Sequence, residues 1–207
     1  MTGDEDVAAA LVRQWELIAE AIPKIVLTRS SRIEGWRNAE VLAHLYVQPH
    51  LVVRFLLSAG AGTPEMGVTD NLIGTRAFKS LIDSSAREGA RRGKSDLSGP
   101  LREARELVLG ADLSETIETV QGSISVSDYL VSRCVEAVVH GQDLMEPVSP
   151  DPTAASITST ALLHVLSSLS PQLVALAEAL PTQQWIDVAT GRAAVTGPLA
   201  AATPVMA

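Results

Sequence analysis

The sequence predicts an all-α core, and three observations support this fold class. Apolar residues make up 46% of the 207 residues, but aromatic residues only 3%. Alanine, leucine and valine supply most of the apolar content, a mix that favours helices packed at short distances. Apolar positions recur at helical spacing in several segments. The segment 125–144, on which the functional argument depends, contains no proline and no glycine before Gly141.

The first two predicted helices cover residues 4–21 and 38–59. In the first, apolar side chains recur every three or four positions, and Pro23 follows its end. We expect Trp15, which belongs to this apolar stripe, to lie in the core. Pro49 should kink the second helix or change its course, because a proline ring removes a backbone hydrogen bond.

The middle of the chain predicts shorter elements. A loop rich in glycine and proline precedes a third helix, which Asp70 or Asn71 can cap and which extends to about Arg91. A short helix is predicted at residues 98–109. Two extended pieces around Gly122 then predict a hairpin that leads into the helix 125–144.

A segment with three prolines, residues 146–156, is the best candidate boundary. It divides the chain into a helical bundle, residues 1–146, and a short C-terminal appendage, residues 153–207. In the appendage we expect a helix from about Thr153 to Leu180, broken or bent at Pro171, followed by one strand-like run at residues 185–188.

Charge and composition exclude several functions. The net charge of −8 disfavours nucleic-acid binding, which needs a continuous cationic surface. The single cysteine, Cys134, excludes an intramolecular disulfide and fits a reducing compartment. The acidic start of the chain is unlike a secretory signal, and no apolar run is long enough to span a membrane. We therefore expect a cytoplasmic protein.

Glu136 and His140 are four residues apart on the predicted helix 125–144, so both side chains leave the same face. With His44 they supply two imidazoles and one carboxylate, the ligand set of a catalytic zinc site. Iron or nickel could occupy the same ligands. Glutamate and histidine at this spacing are also common on solvated helix faces. Aliphatic neighbours such as Val135 and Val139 favour a metal, because a buried carboxylate needs a partner.

Neighbouring side chains on this helix have two interpretations each. Asp143 either accepts a hydrogen bond from the second nitrogen of a ligating histidine or is a solvated residue near the helix end. Arg133 either pairs with Glu136 or anchors an anionic substrate. Tyr129 either lines the same cleft or packs.

Other candidates for chemistry have less support. Cys134 points away from the face of Glu136 and is predicted to be a buried structural thiol. His50 and His164 have no acidic partner at ligand spacing and are predicted to be structural or surface residues. The sequence contains neither a GxSxG elbow nor a glycine-rich nucleotide-binding loop.

Two separated motifs carry a family resemblance. Trp36 with AEVLAHL, and SVSDYLVSRCVEAVVHGQDL about ninety residues later, resemble the N-terminal domain of mycothiol-dependent maleylpyruvate isomerase, a branch of the DinB-like helical bundles. The resemblance covers roughly residues 5–146. The matching positions are Trp36, His44, Leu45, Arg133, Glu136, His140, Asp143 and Leu144.

This resemblance implies a DinB-like four-helix bundle with zinc held by His44, Glu136 and His140, and with mycothiol as the thiol cosubstrate. Arg133 and Asp143 would support the site. The thiolate would add to a conjugated double bond and leave after rotation, or it would be transferred permanently to a small-molecule electrophile. Pairing of two copies into a homodimer would also be consistent with such bundles.

The chain departs from the family at its C-terminal end. Related proteins carry a second α/β domain whose final segment resembles WIDVATGR, residues 185–192. Only about 57 residues follow the proline-rich boundary, near the lower limit for an independent core, which predicts a remnant of that domain. Two other functions therefore stay open: a metal-dependent hydrolase of the same bundle, and a non-catalytic bundle that binds a metal or another ligand.

Overall fold

The structure, a computed structural model, describes residues 4–206. The first three residues of the predicted bundle segment and the last residue of the predicted appendage lie outside the described residues. It consists of an all-α core with one two-stranded sheet, as predicted. The helices and strands are α1 (Asp4–Ala21), α2 (Asn38–Leu56), α3 (Val68–Gly74), α4 (Lys79–Arg91), α5 (Ser98–Leu109), β1 (Thr116–Thr119), β2 (Gly122–Ser125), α6 (Val126–Asp143), α7 (Pro152–Leu169), α8 (Val174–Glu178) and α9 (Thr182–Ala189).

Four helices form a closed bundle in the order α1, α6, α2, α5, with α5 packing back onto α1. Trp15 is fully buried in this bundle, as the apolar stripe of α1 predicts. Helix α4 covers α2, and α7 packs against both α1 and α6. None of the described helices has the length and apolarity that a membrane span requires.

The predicted hairpin and helix cap are both present before α6. Strands β1 and β2 pair antiparallel, and Gly122 in the turn has a φ of +131°, a conformation that favours glycine. The hydroxyl of Ser125 accepts a hydrogen bond from the backbone N–H of Asp128 at 3.1 Å. This cap fixes the start of α6 and hence the phase of its functional face.

The prediction of one continuous third helix to Arg91 is wrong. Helix α3 ends at Gly74, and a 3-10 turn separates it from α4. The hydroxyl of Thr75 donates to the carbonyl of Leu72 at 2.6 Å, which favours a local turn. Gly74 also lies so close to the side chain of Gln121 that a Cβ would meet its Oε1 at 2.0 Å.

The predicted break at Pro171 is confirmed, because α7 ends at Leu169 and α8 begins only after a 3-10 turn. The predicted strand at residues 185–188 is wrong, since these residues belong to α9. Buried side chains in α9 follow helical spacing rather than alternation. They are Trp185, Ile186, Val188 and Ala189. With the bundle they form one continuous hydrophobic cluster, while the division into two segments stays a prediction.

Candidate metal centre

Helices α2 and α6 pack side by side and bring the three predicted ligands together. Glu136 and His140 are one turn apart on α6, and His44 faces them from α2. The Oε2 atom of Glu136 lies 2.9 Å from Nε2 of His44 and 3.4 Å from Nε2 of His140. One carboxylate oxygen therefore faces both ring nitrogens.

The cluster fits a divalent metal ion. One possible ligand atom from each of His44, Glu136 and His140 lies within 4.8 Å of the other two. With zinc–ligand bonds of about 2.0–2.2 Å, ligand atoms around a tetrahedral zinc ion stand about 3.3–3.6 Å apart. The observed separations are close to this range. Two imidazoles and one carboxylate leave a fourth position for another ligand.

Burial and mutual hydrogen bonds determine the charges of these side chains. Burial lowers the pKa of His44, and its hydrogen bond with Glu136 only partly offsets this effect. Burial acts to raise the pKa of Glu136, but hydrogen bonds with His140 and His44 hold it well below its usual value. Burial acts to lower the pKa of His140, but hydrogen bonds with Asp143 and Glu136 raise it to about 9. The side chains on their own thus place an ionised carboxylate between a protonated and a neutral imidazole.

Asp143 holds the far side of His140. Its Oδ2 atom accepts a hydrogen bond from Nδ1 of His140 at 2.8 Å, and the carboxylate is fully buried. Arg192, from the segment after α9, binds both oxygens: its Nε donates to Oδ1 at 2.9 Å and its Nη2 to Oδ2 at 2.7 Å. Burial acts to raise the pKa of Asp143, but His140 and Arg192 lower it to about 2.

Sequence reasoning missed the role of Arg192. It identified the segment WIDVATGR only as a similarity to the end of a second domain. Arg192 is 49 positions after Asp143, so no helical spacing relates the two residues. The available signal was the interpretation of Asp143 as a hydrogen-bond partner of a ligating histidine, since a carboxylate buried in that role needs a cationic partner.

Gln48 is the second functional residue that sequence reasoning missed. It lies one turn after His44 on α2, and its Nε2 atom is 3.3 Å from Nε2 of His44. The Oε1 atom of Gln48 accepts a hydrogen bond from Nη1 of Arg133 at 2.7 Å. The signal here was one polar side chain within the apolar stripe of α2.

Of the two interpretations of Arg133, pairing with Glu136 is not present among the ion pairs of the described residues. Its described polar contacts are with Gln48 and with the hydroxyl of Ser132, and its guanidinium lies 5.1 Å from the ring centroid of Tyr129. The ring of Tyr129 also packs edge-on against Phe55, with centroids 5.5 Å apart. Of the two interpretations of Tyr129, these contacts support the one in which its ring packs.

The remaining candidates lie outside the cluster. Cys134 is buried, and burial raises the pKa of its thiol to about 12, which makes it a poor nucleophile. His50 and His164 are both exposed at the surface. Their positions agree with the prediction that neither is a ligand.

A cleft of about 840 Å³ opens in front of the cluster, with His44, Glu136 and His140 among its lining residues. Its wall includes Trp36, whose ring lies 5.9 Å from that of His44 and whose Nε1 donates to Asp83 at 2.7 Å. Cationic side chains from three segments also line the cleft. They are Arg32, Arg76, Lys79 and Arg192.

One comparison with known proteins gives a match. The family model of the mycothiol maleylpyruvate isomerase N-terminal domain matches residues 8–145, about two thirds of the chain. Neither a curated protein nor a solved structure matches the chain. The matched region contains the three clustered side chains, but it ends before Arg192.

Proposed function

The chain belongs to the family of the mycothiol maleylpyruvate isomerase N-terminal domain, and from this premise we propose that it is a zinc-binding, mycothiol-dependent enzyme. It would be a thiol S-transferase or a cis-trans isomerase of a maleyl-type acid. The observation that carries this proposal is the cluster of His44, Glu136 and His140 in the wall of an open cleft.

These three side chains would hold the metal. Zinc bound there would lower the pKa of a thiol ligand, so that a thiolate is available at neutral pH. The ligand set provides one negative charge, from Glu136, and two neutral imidazoles. A divalent metal ion with these three ligands would keep a net positive charge, which favours an anionic fourth ligand.

Asp143 would orient His140, one of the three ligands. This carboxylate accepts the Nδ1 hydrogen of His140 and so directs Nε2 toward Glu136. The same hydrogen bond makes the imidazole a stronger electron-pair donor to a metal ion. Arg192 holds both oxygens of Asp143 and so limits its rotation. The C-terminal segment thus supports the site from behind.

The cleft supports an anionic electrophile. Arg76 and Lys79 contribute positive charge to its lining, as does Arg32, which pairs with Asp187. The lining also contains the carboxylates of Glu34 and Asp83, so the positive charge is local to the side of these three residues. Local positive charge raises the concentration of anionic substrates at a site. A maleyl-type acid, with two carboxylates on a conjugated double bond, suits this lining.

Both reactions begin with the same bond. The thiolate sulfur adds to an electrophilic carbon of the substrate, a carbon–sulfur bond forms, and the electron pair of the double bond moves onto the conjugated carbonyl as an enolate. In isomerisation the resulting single bond rotates, the enolate re-forms the double bond, the carbon–sulfur bond breaks, and the trans product and the thiolate are released. In transfer the enolate carbon takes a proton from water, and the carbon–sulfur bond remains in the product. The proposal assigns this chemistry to the cytoplasm, where low-molecular-weight thiols stay reduced.

Metal content is the first test. The purified chain and His140→Ala are both prepared without added metal, and their metal content is measured by mass spectrometry. We expect about one zinc per chain in the wild type, as for a three-ligand site, and little zinc in the variant. Electrophiles would then be screened with and without mycothiol. Absence of metal from the wild type would refute the proposal, and turnover that is independent of mycothiol would support a hydrolase instead.

A further inference from the structure

The side chain of Gln48 has two buried polar neighbours that fix its orientation. The residue is 3% exposed and lies between Arg133 and His44. A guanidinium can only donate hydrogen bonds, so the amide atom that faces Arg133 is the oxygen. The NH₂ group of Gln48 consequently points toward Nε2 of His44, the nitrogen that faces Glu136.

The Nε2 atom of His44 is a poor acceptor for this NH₂ group. Without a metal it donates its hydrogen to the ionised carboxylate of Glu136, and a bound metal ion would use its lone pair. A buried donor without an acceptor is unfavourable. An acceptor that belongs to the metal's remaining ligand would satisfy the donor.

Arg133 adds positive charge on the same side. It is 8% exposed, and the side chains that accept its hydrogen bonds, Gln48 and Ser132, are uncharged. A buried guanidinium whose hydrogen-bond partners are uncharged favours a nearby anion. The thiolate required by the proposed function has the matching charge.

We propose that Gln48 donates a hydrogen bond to the anionic sulfur of the thiol cosubstrate, and that Arg133 is the positioning residue that orients Gln48. The inference rests on the proposed function, since it requires a thiol at the metal. It assigns a thiolate-stabilising role to α2, which otherwise contributes only His44 to the cluster.

Thiol binding to the cobalt-loaded full-length chain tests the inference. Cobalt(II) replaces zinc and makes thiolate ligation visible by its charge-transfer absorption, and N-acetylcysteine serves as the thiol. Gln48→Met keeps the side-chain length but removes the donor. We expect roughly ten- to hundredfold weaker thiol binding at neutral pH, the range for a hydrogen bond to a charged group.

The pH dependence provides a second readout that packing alone would not change. Loss of a donor to the thiolate should raise the pH at half-maximal charge-transfer absorption by about one unit for each tenfold loss of binding. Arg133→Met should shift it in the same direction. Gln48→Glu should weaken binding further, because a carboxylate repels the thiolate.

Gln14→Met is the matched control. Gln14 is also fully buried, but it lies on α1 and accepts its hydrogen bond from the backbone of Asp151. This variant should bind cobalt and thiol like the wild type, even if it is less stable.

The outcomes separate the two proposals. If the wild type binds no cobalt, the proposed function and this inference both fail. If cobalt and thiol bind equally well to the wild type and to Gln48→Met, only the inference is overturned. Should Gln48→Met fail to fold, Arg133→Met decides the question, because an unchanged pH at half-maximal absorption in that variant would overturn the inference.

Discussion

The two histidines of the cluster are held in different ways. His140 contacts a carboxylate with each ring nitrogen, Glu136 on one side and Asp143 on the other. His44 contacts one carboxylate, and its ring packs against Trp36 and edge-on against His140, with centroid distances of 5.9 and 4.7 Å. The pKa of His140 is raised to about 9, whereas that of His44 is lowered. The imidazole of His140 is therefore fixed by charge, and that of His44 by packing and a neutral amide.

Removal of either imidazole is the largest test of this comparison. His44→Ala and His140→Ala should each reduce zinc from near one per chain to roughly 0.1 or less, because two remaining protein ligands hold zinc poorly. Metal content by mass spectrometry measures both. If His44→Ala retained zinc while His140→Ala lost it, α6 would bind the ion without α2.

Asp143→Asn should weaken the charged contact that holds His140 without removing any of the three side chains of the cluster. We expect zinc affinity to fall about 10- to 100-fold, because the amide orients His140 less strongly. Competition with a chelator of known affinity measures the change.

Asp187→Asn is the control for Asp143→Asn. Asp187 accepts from Arg32 at 2.9 Å, in the same part of the molecule, but neither residue contacts a histidine of the cluster. Its zinc affinity should match that of the wild type. An equal loss in both variants would indicate a general loss of folding rather than a role for Asp143.

The pH dependence of zinc binding tests the charge assigned to His140. With its pKa near 9, His140 carries at pH 7 a proton that zinc must displace from Nε2. Zinc affinity should therefore fall about tenfold between pH 8 and pH 7, since one proton is released per ion. Calorimetry in buffers of different ionisation enthalpy counts that proton.

Asp143→Asn supplies the contrast for this experiment. Removing the carboxylate lowers the pKa of His140, so proton release near pH 8 should decrease. An unchanged proton count in this variant would contradict the assignment of the released proton to His140.

Trp36→Phe should have the smallest effect. It removes the hydrogen bond from Nε1 to Asp83 but keeps an aromatic ring beside His44. We expect the free energy of unfolding to fall by about 1 kcal/mol, the usual contribution of one hydrogen bond, with no change in zinc content. Denaturant unfolding measures it. Loss of zinc would show that the indole itself positions His44.

Local patterns predicted much of the site. The spacing of Glu136 and His140 and the cap at Ser125 follow from helix geometry, and both are present in the structure. His44 was grouped with Glu136 and His140 as a third ligand from another helix, and the family resemblance includes the same position. Arg192 and Gln48 were not predicted, because their roles depend on which elements meet in space.

The two wrong predictions of secondary structure have a similar cause. A short apolar run at residues 185–188 suits a strand or a helix equally, and the packing of Trp185 against α7 decides for a helix. The end of α3, Gly74, lies against Gln121, a residue from the distant hairpin turn. Neither contact can be deduced from spacing within one segment.

The pairing of Arg192 with Asp143 has a thermodynamic consequence for the C-terminal segment. Coupling between two equilibria is reciprocal, so if docking of this segment strengthens zinc binding, zinc would strengthen docking by the same factor. A bound ion would therefore stabilise the position of a part of the chain that it does not contact. Protection of residues 182–206 from amide hydrogen exchange should increase with zinc saturation.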